Sequence, residues 1–315
     1  MAYATAPMAK VTDRPLVMGI LNVTPDSFSD GGRFLRPADA LARGQQMVVE
    51  GADIVDVGGE SSRPGAEPVE EEEELRRVLP VVEQLSGAVR VSVDTTKPAV
   101  ARAAVAAGAS LVNDVSGALW PVAAELGAGW VSMHRRGTPR TMQALTDYHD
   151  VVSEVHAHVL GAAERARRAG IAEVWVDPGI GFAKTAEQNV LLLAFLPELA
   201  VAAHAAGAKV LVGTSRKSFL GRYGALAPDR PLGADDRLDA SLATAVWAMV
   251  AGAGMVRVHA VADTVHAASV VADTVHAASV VADTVHAASV VAGTVHAASA
   301  VADTVHAASV VENLS

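Results

Sequence analysis

Short runs rich in β-branched residues alternate with longer Ala-, Leu- and Glu-rich stretches as far as Ala260. The runs predict strands at residues 16–22, 53–58, 89–94, 110–114, 129–133, 173–177, 209–214 and 255–259. The stretches between them have helical length, as in 37–51, 71–86, 97–108, 147–170 and 185–206. Such alternation predicts a parallel sheet covered by helices. Eight strands within about 245 residues favour an α/β fold of the closed (β/α)8 TIM-barrel type over a doubly wound sheet. No G-x-G-x-x-G follows the first strand, which argues against dinucleotide binding.

One face of each predicted strand is apolar, and the other becomes polar near the carboxyl end of the strand. Because successive side chains point to opposite faces, residues two apart lie together. The faces that carry polar groups are Met18, Ile20 and Asn22; Ile54, Asp56 and Gly58; Ser92 and Asp94; Trp175 and Asp177; and Met255, Arg257 and His259. In a parallel barrel these ends meet at one mouth, so the sequence predicts a single polar pocket there.

A first group of residues at these ends suits a flat, nitrogen-rich heterocycle. Asp94, Asn113, Asp177 and Lys217 supply two carboxylates, an amide and an ammonium. Carboxylates accept the N–H edge of a 2-amino-4-oxo ring in pairs, and the amide fixes its orientation. Each residue alone is as well explained by a strand-end cap or a salt bridge. Four of them at successive strand ends favour a binding site.

A second group predicts an anion site. It consists of Asn22, Arg63, Arg257 and His259. Two guanidiniums and an imidazole suit phosphate through forked hydrogen bonds. The Asn22 oxygen can hold Mg²⁺, which binds through few protein ligands together with substrate phosphates. Arg257 alone would more often be a packing or surface cation, but it shares its inward face with Met255 and His259.

Two loops rich in Gly, Pro and Ser follow the first two strands, at 24–35 and 58–69. Loops of this length after barrel strands are usually functional lids. Phe28 and Pro64 are suited to pack on a second, aromatic substrate, although Phe28 can instead anchor its own loop. His134, after strand five, is a weaker candidate for a functional role.

Composition narrows the class of protein. The chain has 315 residues, a formal net charge of −10 and no cysteine. The charge argues against a nucleic-acid surface, and the lack of cysteine excludes disulfides and thiolate sites. Residues 1–14 are expected to form a flexible tail, and no apolar window predicts a membrane span, so we expect a cytoplasmic protein. The acidic run Glu70–Glu74 is interpreted as a solvated first helical turn.

Seven runs closely resemble bacterial dihydropteroate synthases, a family of pterin-binding TIM barrels. They are MGILNVTPDSFSDGG (18–32), VDVGGESSRPGA (55–66), SVDTTKP (92–98), VNDVSG (112–117), DPGIGFAKT (177–185), VGTSRKSFLG (212–221) and VRVH (256–259). The resemblance implies a transferase of folate biosynthesis. Such an enzyme joins 6-hydroxymethyl-7,8-dihydropterin pyrophosphate to 4-aminobenzoate, releasing pyrophosphate and forming 7,8-dihydropteroate. It further implies inhibition by sulfonamides and a homodimer.

The resemblance also implies roles for individual residues. Asp94, Asn113, Asp177 and Lys217 resemble the pterin-binding set, Asn22 the Mg²⁺ ligand, and Arg63, Arg257 and His259 the pyrophosphate set. The aminobenzoate surroundings correspond to Phe28, Ser62, Pro64, Phe182, Lys217 and Ser218. We expect Asn22, Arg63, Lys217, Arg257 and His259 to be catalytic. Ser62 stands where Thr is commoner, and Ala183 where Gly is often found, a change expected to matter little.

The two pockets predict a substitution that begins with ionisation, without a covalent enzyme intermediate or an obligatory base. Charge builds on the departing pyrophosphate, where Mg²⁺ and cations stabilise it. One alternative is a pterin-dependent methyltransferase, which has no need for Arg63, Arg257 and His259 together. Another is a non-catalytic pterin-binding paralogue or assembly protein, which the intact anion set argues against.

From Val261 the decapeptide VADTVHAASV repeats five times, to Val310, and only Gly293 and Ala300 break its identity. The first copy is expected to supply the last barrel helix, so the barrel spans 15–270 and 271–315 form a helical extension. Successive His would lie about 15 Å apart along a helix and be rotated by about 80°, too far to share a metal ion. We expect the copies after the first to be surplus to the fold, and their deletion to leave catalysis intact.

Overall fold

The strands close into a parallel barrel in sequence order, β1 to β8. A computed structural model describes residues 14–24, 37–223 and 231–277. The strands are β1 Leu16–Asn22, β2 Ile54–Gly58, β3 Arg90–Asp94, β4 Leu111–Asp114, β5 Gly129–Met133, β6 Val174–Asp177, β7 Lys209–Val212 and β8 Met255–Val258. Strand β8 pairs with β1, with Arg257 opposite Met18, and this pairing closes the barrel. The predicted (β/α)8 fold is confirmed.

Helices connect the strands and cover the barrel. They are α1 Pro37–Val49, α2 Glu71–Leu85, α3 Pro98–Ala106, α4 Trp120–Leu126, α5 Val151–Arg168, α6 Ala186–Ala194, α7 Leu196–Ala205, α8 Ser218–Tyr223, α9 Leu238–Val250 and α10, over 261–277. The single helix expected over 185–206 is wrong, because α6 and α7 meet at a bend of 57°. Pro197 lies in the first turn of α7. Proline has no backbone N–H, and in the first turn of a helix this donor would have no partner within the helix, whereas inside one continuous helix its loss would break a hydrogen bond.

No single helix in the described part of the chain is long and apolar enough to cross a membrane. Helices α6 and α7 have the length and apolar composition of a membrane span only when the two are taken together, across the bend between them.

An apolar plug fills the amino-terminal half of the barrel interior. Its side chains are Met18, Ile54, Leu111, Val131, Trp175, Leu211 and Met255. The predicted inward direction of Met18, Ile54, Trp175 and Met255 is therefore confirmed. Alternate residues such as Val55 face outward and pack under the helices. The interior is thus closed below, and any cavity must lie at the carboxyl ends of the strands.

The acidic turn that begins α2 is only partly solvated. Glu74 is fully buried, and its carboxylate accepts a hydrogen bond from the ammonium of Lys97. Lys97 also donates to Glu60 at 2.6 Å, which ties the loop after β2 to α2 and to the start of α3. The prediction of a solvated run is therefore wrong at Glu74, because this residue lies on the helix face that also buries Val78.

Helix α10 packs on the outside of the barrel through the first repeat, as expected, and through part of the second. Val261, Thr264 and Ala268 of the first copy are buried, and so is Val271 of the second. Val275 is partly buried against the same core. The second copy is therefore not wholly surplus to the fold. Residues 278–315 and the segment 25–36, which includes Phe28, lie outside the described residues.

Candidate active site

A cavity of about 510 Å³ opens at the carboxyl ends of the strands. The predicted site residues on its wall are Asn22, Ser62, Arg63, Pro64, Asp94, Asn113, Asp177, Phe182, Lys217, Ser218, Arg257 and His259. The structure thus brings together every predicted site residue that it describes, while Phe28 falls outside the described residues. The two predicted groups share a single cavity.

Arg257 joins the two predicted groups at the floor of this cavity. Its Nε donates to Asp56 Oδ2 at 2.6 Å, and its Nη2 donates to Asp94 Oδ2 at 2.8 Å. The same oxygen of Asp56 accepts from Asn113 Nδ2 at 2.8 Å. An anion that reaches Arg257 therefore meets a guanidinium already paired with two carboxylates. The separation of Arg257 from the heterocycle group, which the sequence suggested, does not hold in the structure.

Asp56 is the residue of this network that the sequence analysis did not select as a site residue. It is fully buried and does not line the cavity, but it holds both Arg257 and Asn113 in place. The sequence feature that could have identified Asp56 is its inward position on the second strand, two residues beyond Ile54. Partner choice across the barrel depends on distances that the sequence pattern does not contain.

Burial sets the protonation of the heterocycle group. It raises the pKa of Asp94 to about 7, against the opposing effect of Arg257. It also raises the pKa of Asp177, although the charge of Lys217 and the backbone N–H of Gly179 act in the opposite direction. Burial lowers the pKa of Lys217 to about 8. The floor therefore holds groups that can accept or donate a proton near neutral pH.

His259 stands at the edge of the cavity beside Ser215. Burial, together with the nearby positive charges of Arg216 and Arg257, lowers the pKa of His259 to about 3, so its imidazole is neutral at pH 7. Ser215 Oγ lies 2.9 Å from His259 Nδ1 and accepts from the backbone N–H of His259 at 3.2 Å. Ser215 was not selected from the sequence, although it follows β7 two residues before Lys217.

The aromatic ring of Phe182 forms another part of the cavity wall. The Lys217 ammonium lies 4.8 Å from the centroid of that ring and donates to the backbone carbonyl of Ile180. Ser218 opens α8 at the rim, and exposed Arg63 and Pro64 approach from the loop after β2. This wall combines an apolar surface with hydroxyl and cationic groups, which suits a small aromatic acid.

Ala183, between Phe182 and Lys184, has a φ of 50°. This left-handed backbone costs a residue with a Cβ about 1 kcal/mol more than it costs glycine. The expectation that Ala matters little here therefore needs a qualification: the position carries backbone strain. The same geometry gives a physical reason for glycine at this position.

A closed barrel with acidic, amide and cationic side chains at one mouth defines a (β/α)8-barrel enzyme that binds a polar heterocycle and an anion. Comparison with known proteins identifies the family. The sequence profile of the family described as "Pterin binding enzyme" matches residues 18–259. The Mycobacterium leprae dihydropteroate synthase is 47% identical over 264 residues, which cover 81% of this chain and 91% of that protein.

Solved structures agree in fold and sequence. The Xanthomonas albilineans dihydropteroate synthase with 4-aminobenzoic acid has a TM-score of 0.73 at 45% identity, and the match covers 82% of this chain and 92% of that one. The Yersinia pestis dihydropteroate synthase in a sulfonamide drug complex has a TM-score of 0.74 at 43% identity, with 83% and 94% covered. The chain belongs to the dihydropteroate synthases of the pterin-binding enzyme family, which are transferases.

Proposed function

We propose that the protein condenses 6-hydroxymethyl-7,8-dihydropterin pyrophosphate with 4-aminobenzoate to give 7,8-dihydropteroate and pyrophosphate. The observation that carries this proposal is the single cavity lined by Asp94, Asn113 and Asp177 together with Arg63, Arg257 and His259. A methyltransferase with a similar heterocycle pocket has no need for Arg63, Arg257 and His259 together, so this arrangement favours a substitution in which pyrophosphate is the leaving group.

The heterocycle is held at the buried end of the cavity. Asp94 and Asp177 are buried carboxylates that accept ring N–H groups, and Asn113 adds an amide of fixed orientation because Asp56 accepts one of its hydrogens. The ammonium of Lys217 donates to the ring carbonyl or to a ring nitrogen. Ionised Asp94 is the form that accepts hydrogen bonds, so ring binding favours its deprotonation.

The diphosphate is held by Arg63, Arg257 and His259. Arg257 already donates in two directions, and Arg63 is exposed at the rim, where it can reorient toward an incoming anion. His259 offers the imidazole nitrogen that Ser215 does not engage. Nearby phosphate oxygens raise the pKa of this imidazole, because an anion stabilises its charged form.

Asn22 is the residue that would hold Mg²⁺. It ends β1 and lines the cavity with an amide side chain. The described residues contain no cluster of three His, Cys, Asp or Glu side chains that could hold a metal on its own. A single amide oxygen fits an ion that arrives with the substrate's phosphates. When bound, the ion supplies charge stabilisation for the leaving pyrophosphate.

The reaction proceeds by ionisation. The bond between the exocyclic carbon and the pyrophosphate oxygen breaks, and its electrons leave with pyrophosphate, stabilised by Arg257 and Arg63. The pterin cation spreads its charge over the ring, beside the carboxylates of Asp94 and Asp177. The neutral amine of aminobenzoate then forms the new C–N bond and releases a proton to water. No side chain has to remove that proton beforehand.

Aminobenzoate enters last, along the wall formed by Phe182 and Pro64. Phe182 offers a ring face, while Ser62, Ser218 and Lys217 supply donors for the carboxylate. Phe28 is assigned to this side as well, from its motif alone. Sulfonamides, which resemble aminobenzoate, are expected to compete on this wall.

The decisive experiment mixes the purified full chain with the pterin pyrophosphate, 4-aminobenzoate and Mg²⁺ and follows dihydropteroate and pyrophosphate together. Equal amounts of both products support the proposal. Methyl transfer from a methylated pterin without pyrophosphate release would support the methyltransferase alternative. Tight binding of the pterin without turnover would support a non-catalytic protein.

We further propose a cytoplasmic homodimer, as the resemblance implies. An exposed apolar groove between α6, α8 and α9, lined in part by Val190, Tyr223 and Trp247, offers a surface for a second copy. Light scattering after size exclusion tests the dimer, and Trp247→Glu should convert it to a monomer. Fractionation of the producing cells tests the location.

A further inference from the structure

Lys184 is a buried amine that the proposed mechanism does not use. Only 4% of the residue is exposed, and it does not line the cavity. Its ammonium lies 3.0 Å from His134 Nδ1, 2.9 Å from the carbonyl of Gly179 and 3.0 Å from the carbonyl of Phe182. Burial lowers the pKa of Lys184 to about 7, and the three hydrogens of its protonated form match these three acceptors.

The loop that Lys184 closes has a backbone that needs outside support. Gly179, Gly181 and Ala183 all have positive φ, at 68°, 85° and 50°. Alternating left-handed residues cannot form a regular hydrogen-bonded element, and Ala183 carries strain. The Gly179 carbonyl accepts from both the Phe182 N–H, at 3.1 Å, and Lys184. Lys184 thus binds the turn from within.

Each end of this turn is connected to a residue of the proposed site. The backbone N–H of Gly179 donates to Asp177 Oδ1 at 2.7 Å, so the position of Gly179 orients that carboxylate. The Phe182 carbonyl, held by Lys184, fixes the residue whose ring forms the cavity wall. A Cβ at Gly179 would lie 1.8 Å from the His134 carbonyl oxygen, so the turn is also pressed against the end of β5.

We propose that Lys184 is a positioning residue, with His134 as its third acceptor, and that it holds the 178–184 turn so that Phe182 faces aminobenzoate. The assignment of Phe182 to aminobenzoate rests on the proposed function, whereas the support of the turn does not. His134 thereby gains the role that its place after strand five left open. Burial lowers the pKa of His134 to about 3, so its ring is neutral, and in the tautomer protonated at Nε2 its Nδ1 accepts the Lys184 hydrogen.

The kinetic test compares Lys184→Met, which keeps the stem and loses the donors, with Lys209→Met. Lys209 lies at the exposed start of β7, remote from the cavity. Lys184→Met should raise KM for aminobenzoate about tenfold or more, since small displacements of a binding group have effects of this size. KM for the pterin pyrophosphate should change less, and Lys209→Met should match the wild type.

A double-mutant cycle separates positioning from general destabilisation. Phe182→Ala should raise KM for aminobenzoate, and adding Lys184→Met to it should raise KM by less than Lys184→Met does alone. Fully additive effects would overturn the proposal, because Lys184 would then not act through Phe182.

Hydrogen exchange tests the turn without any substrate. The Phe182 and Gly179 amides should exchange about tenfold faster in Lys184→Met and at the wild-type rate in Lys209→Met. Unchanged exchange overturns the proposal even in an active enzyme, whereas an inactive wild type with faster exchange in the variant would overturn only the proposed function. If Lys184→Met does not fold, His134→Leu removes one acceptor and should show the same changes at smaller size, and unchanged values in it would overturn the proposal.

Discussion

The two ends of the barrel interior are built from the same strands and have opposite properties. At the amino-terminal end, Trp175 and Met255 are almost completely buried in an apolar plug. Two residues further along the same strands, Asp177 and Arg257 line a cavity of about 510 Å³. Side chains two residues apart on a strand point to the same face, so both pairs point into the barrel. The type of residue alone decides whether a position packs in the plug or contributes to the site. The plug is a tightly packed base below the cavity, and it holds the buried charged residues above it in fixed positions.

The amino-terminal end of the barrel also contains charged residues, but these pair with each other. Arg90 donates to both oxygens of Glu173, at 2.9 and 2.5 Å, and Glu173 accepts from Trp175 Nε1 at 2.7 Å. The Arg90 guanidinium there forms an ion pair with one carboxylate, that of Glu173. At the mouth, Arg257 is shared between Asp56 and Asp94. The comparison predicts that substitutions at the mouth remove activity and that those in the plug remove stability.

The largest effect is expected for Arg257→Met, with Arg90→Met as the matched control at the other end. Loss of Arg257 removes charge stabilisation of the leaving group and should lower kcat about 10³-fold or more. Arg90→Met should leave kcat within about twofold, because Arg90 begins β3 at the amino-terminal end of the barrel and does not line the cavity. Steady-state rates at saturating substrates give the measurement. Unchanged kcat with only weaker binding in Arg257→Met would contradict the mechanism.

Trp175→Ala should reverse this pattern. Removing a fully buried Trp from the plug should cost about 3–5 kcal/mol of unfolding free energy. Folded protein should keep its kcat, since Trp175 does not line the cavity. Urea unfolding and rate measurements on the same sample decide the outcome. A large fall in kcat in fully folded protein would show that the apolar plug affects the geometry of the site.

Helix α10 offers a region outside both ends. A chain that ends at residue 277 should match the full chain in kcat and in stability of the barrel. A chain that ends at Val270 should also keep its kcat. Its free energy of unfolding should fall by about 2 kcal/mol, because Val271 is buried and Val275 packs on the core. Thermal unfolding of the two truncated chains gives the difference. Equal stabilities would show that the second repeat does not support the barrel.

The pH dependence of kcat/KM for the pterin substrate should report Asp94. Burial raises the pKa of Asp94 to about 7, and the ionised form accepts the ring hydrogens. kcat/KM should therefore increase about fivefold between about pH 6 and pH 7.5 as the carboxyl loses its proton, and it should fall above about pH 8, where Lys217, with a pKa lowered to about 8, loses its own. His259, with a pKa lowered to about 3, should add no inflection in this range. Asp94→Asn should remove the increase, and its persistence there would assign it to another group.

The smallest effect is expected for Ala183→Gly, which relieves a positive φ of 50° in the turn beside Phe182. Relief of about 1 kcal/mol, less the extra chain entropy of glycine, leaves a gain of roughly 0.5 kcal/mol. Ala206→Gly, at a φ of −80°, is the control and should not stabilise. Calorimetric unfolding temperatures distinguish them. A loss of stability in Ala183→Gly would mean that the Cβ packing outweighs the strain.

Sequence alone predicted the barrel and the gathering of the site because both follow from local patterns. Alternation placed Met255, Arg257 and His259 on one inward face before any partner was known. The pairing of Arg257 with Asp56 and Asp94 could not be predicted this way, since these residues belong to β8, β2 and β3 and meet only across the closed interior. The burial of Glu74 was missed for a similar reason. Its partner Lys97 lies on a different element.

The break between α6 and α7 is a case where the information was present but underused. Pro197 is visible in the sequence and disfavours a continuous helix over 185–206. The role of Lys184, in contrast, could not be predicted from the sequence, because the residues around it in the chain do not indicate which groups its side chain contacts in the folded turn. Conformations set by positive φ at Gly179 and Gly181 depend on the packing around His134, which the sequence pattern does not encode.

The shared pairing of Arg257 has a consequence for selectivity in a cell crowded with small phosphates. A guanidinium that already contacts two carboxylates gives a bare inorganic anion little net attraction, since the carboxylates repel what the cation draws in. A molecule that also carries a ring able to occupy Asp94 removes part of that repulsion as it binds. The carboxylates around Arg257 therefore disfavour the binding of simple anions, and the site favours a molecule that carries both the ring and the diphosphate.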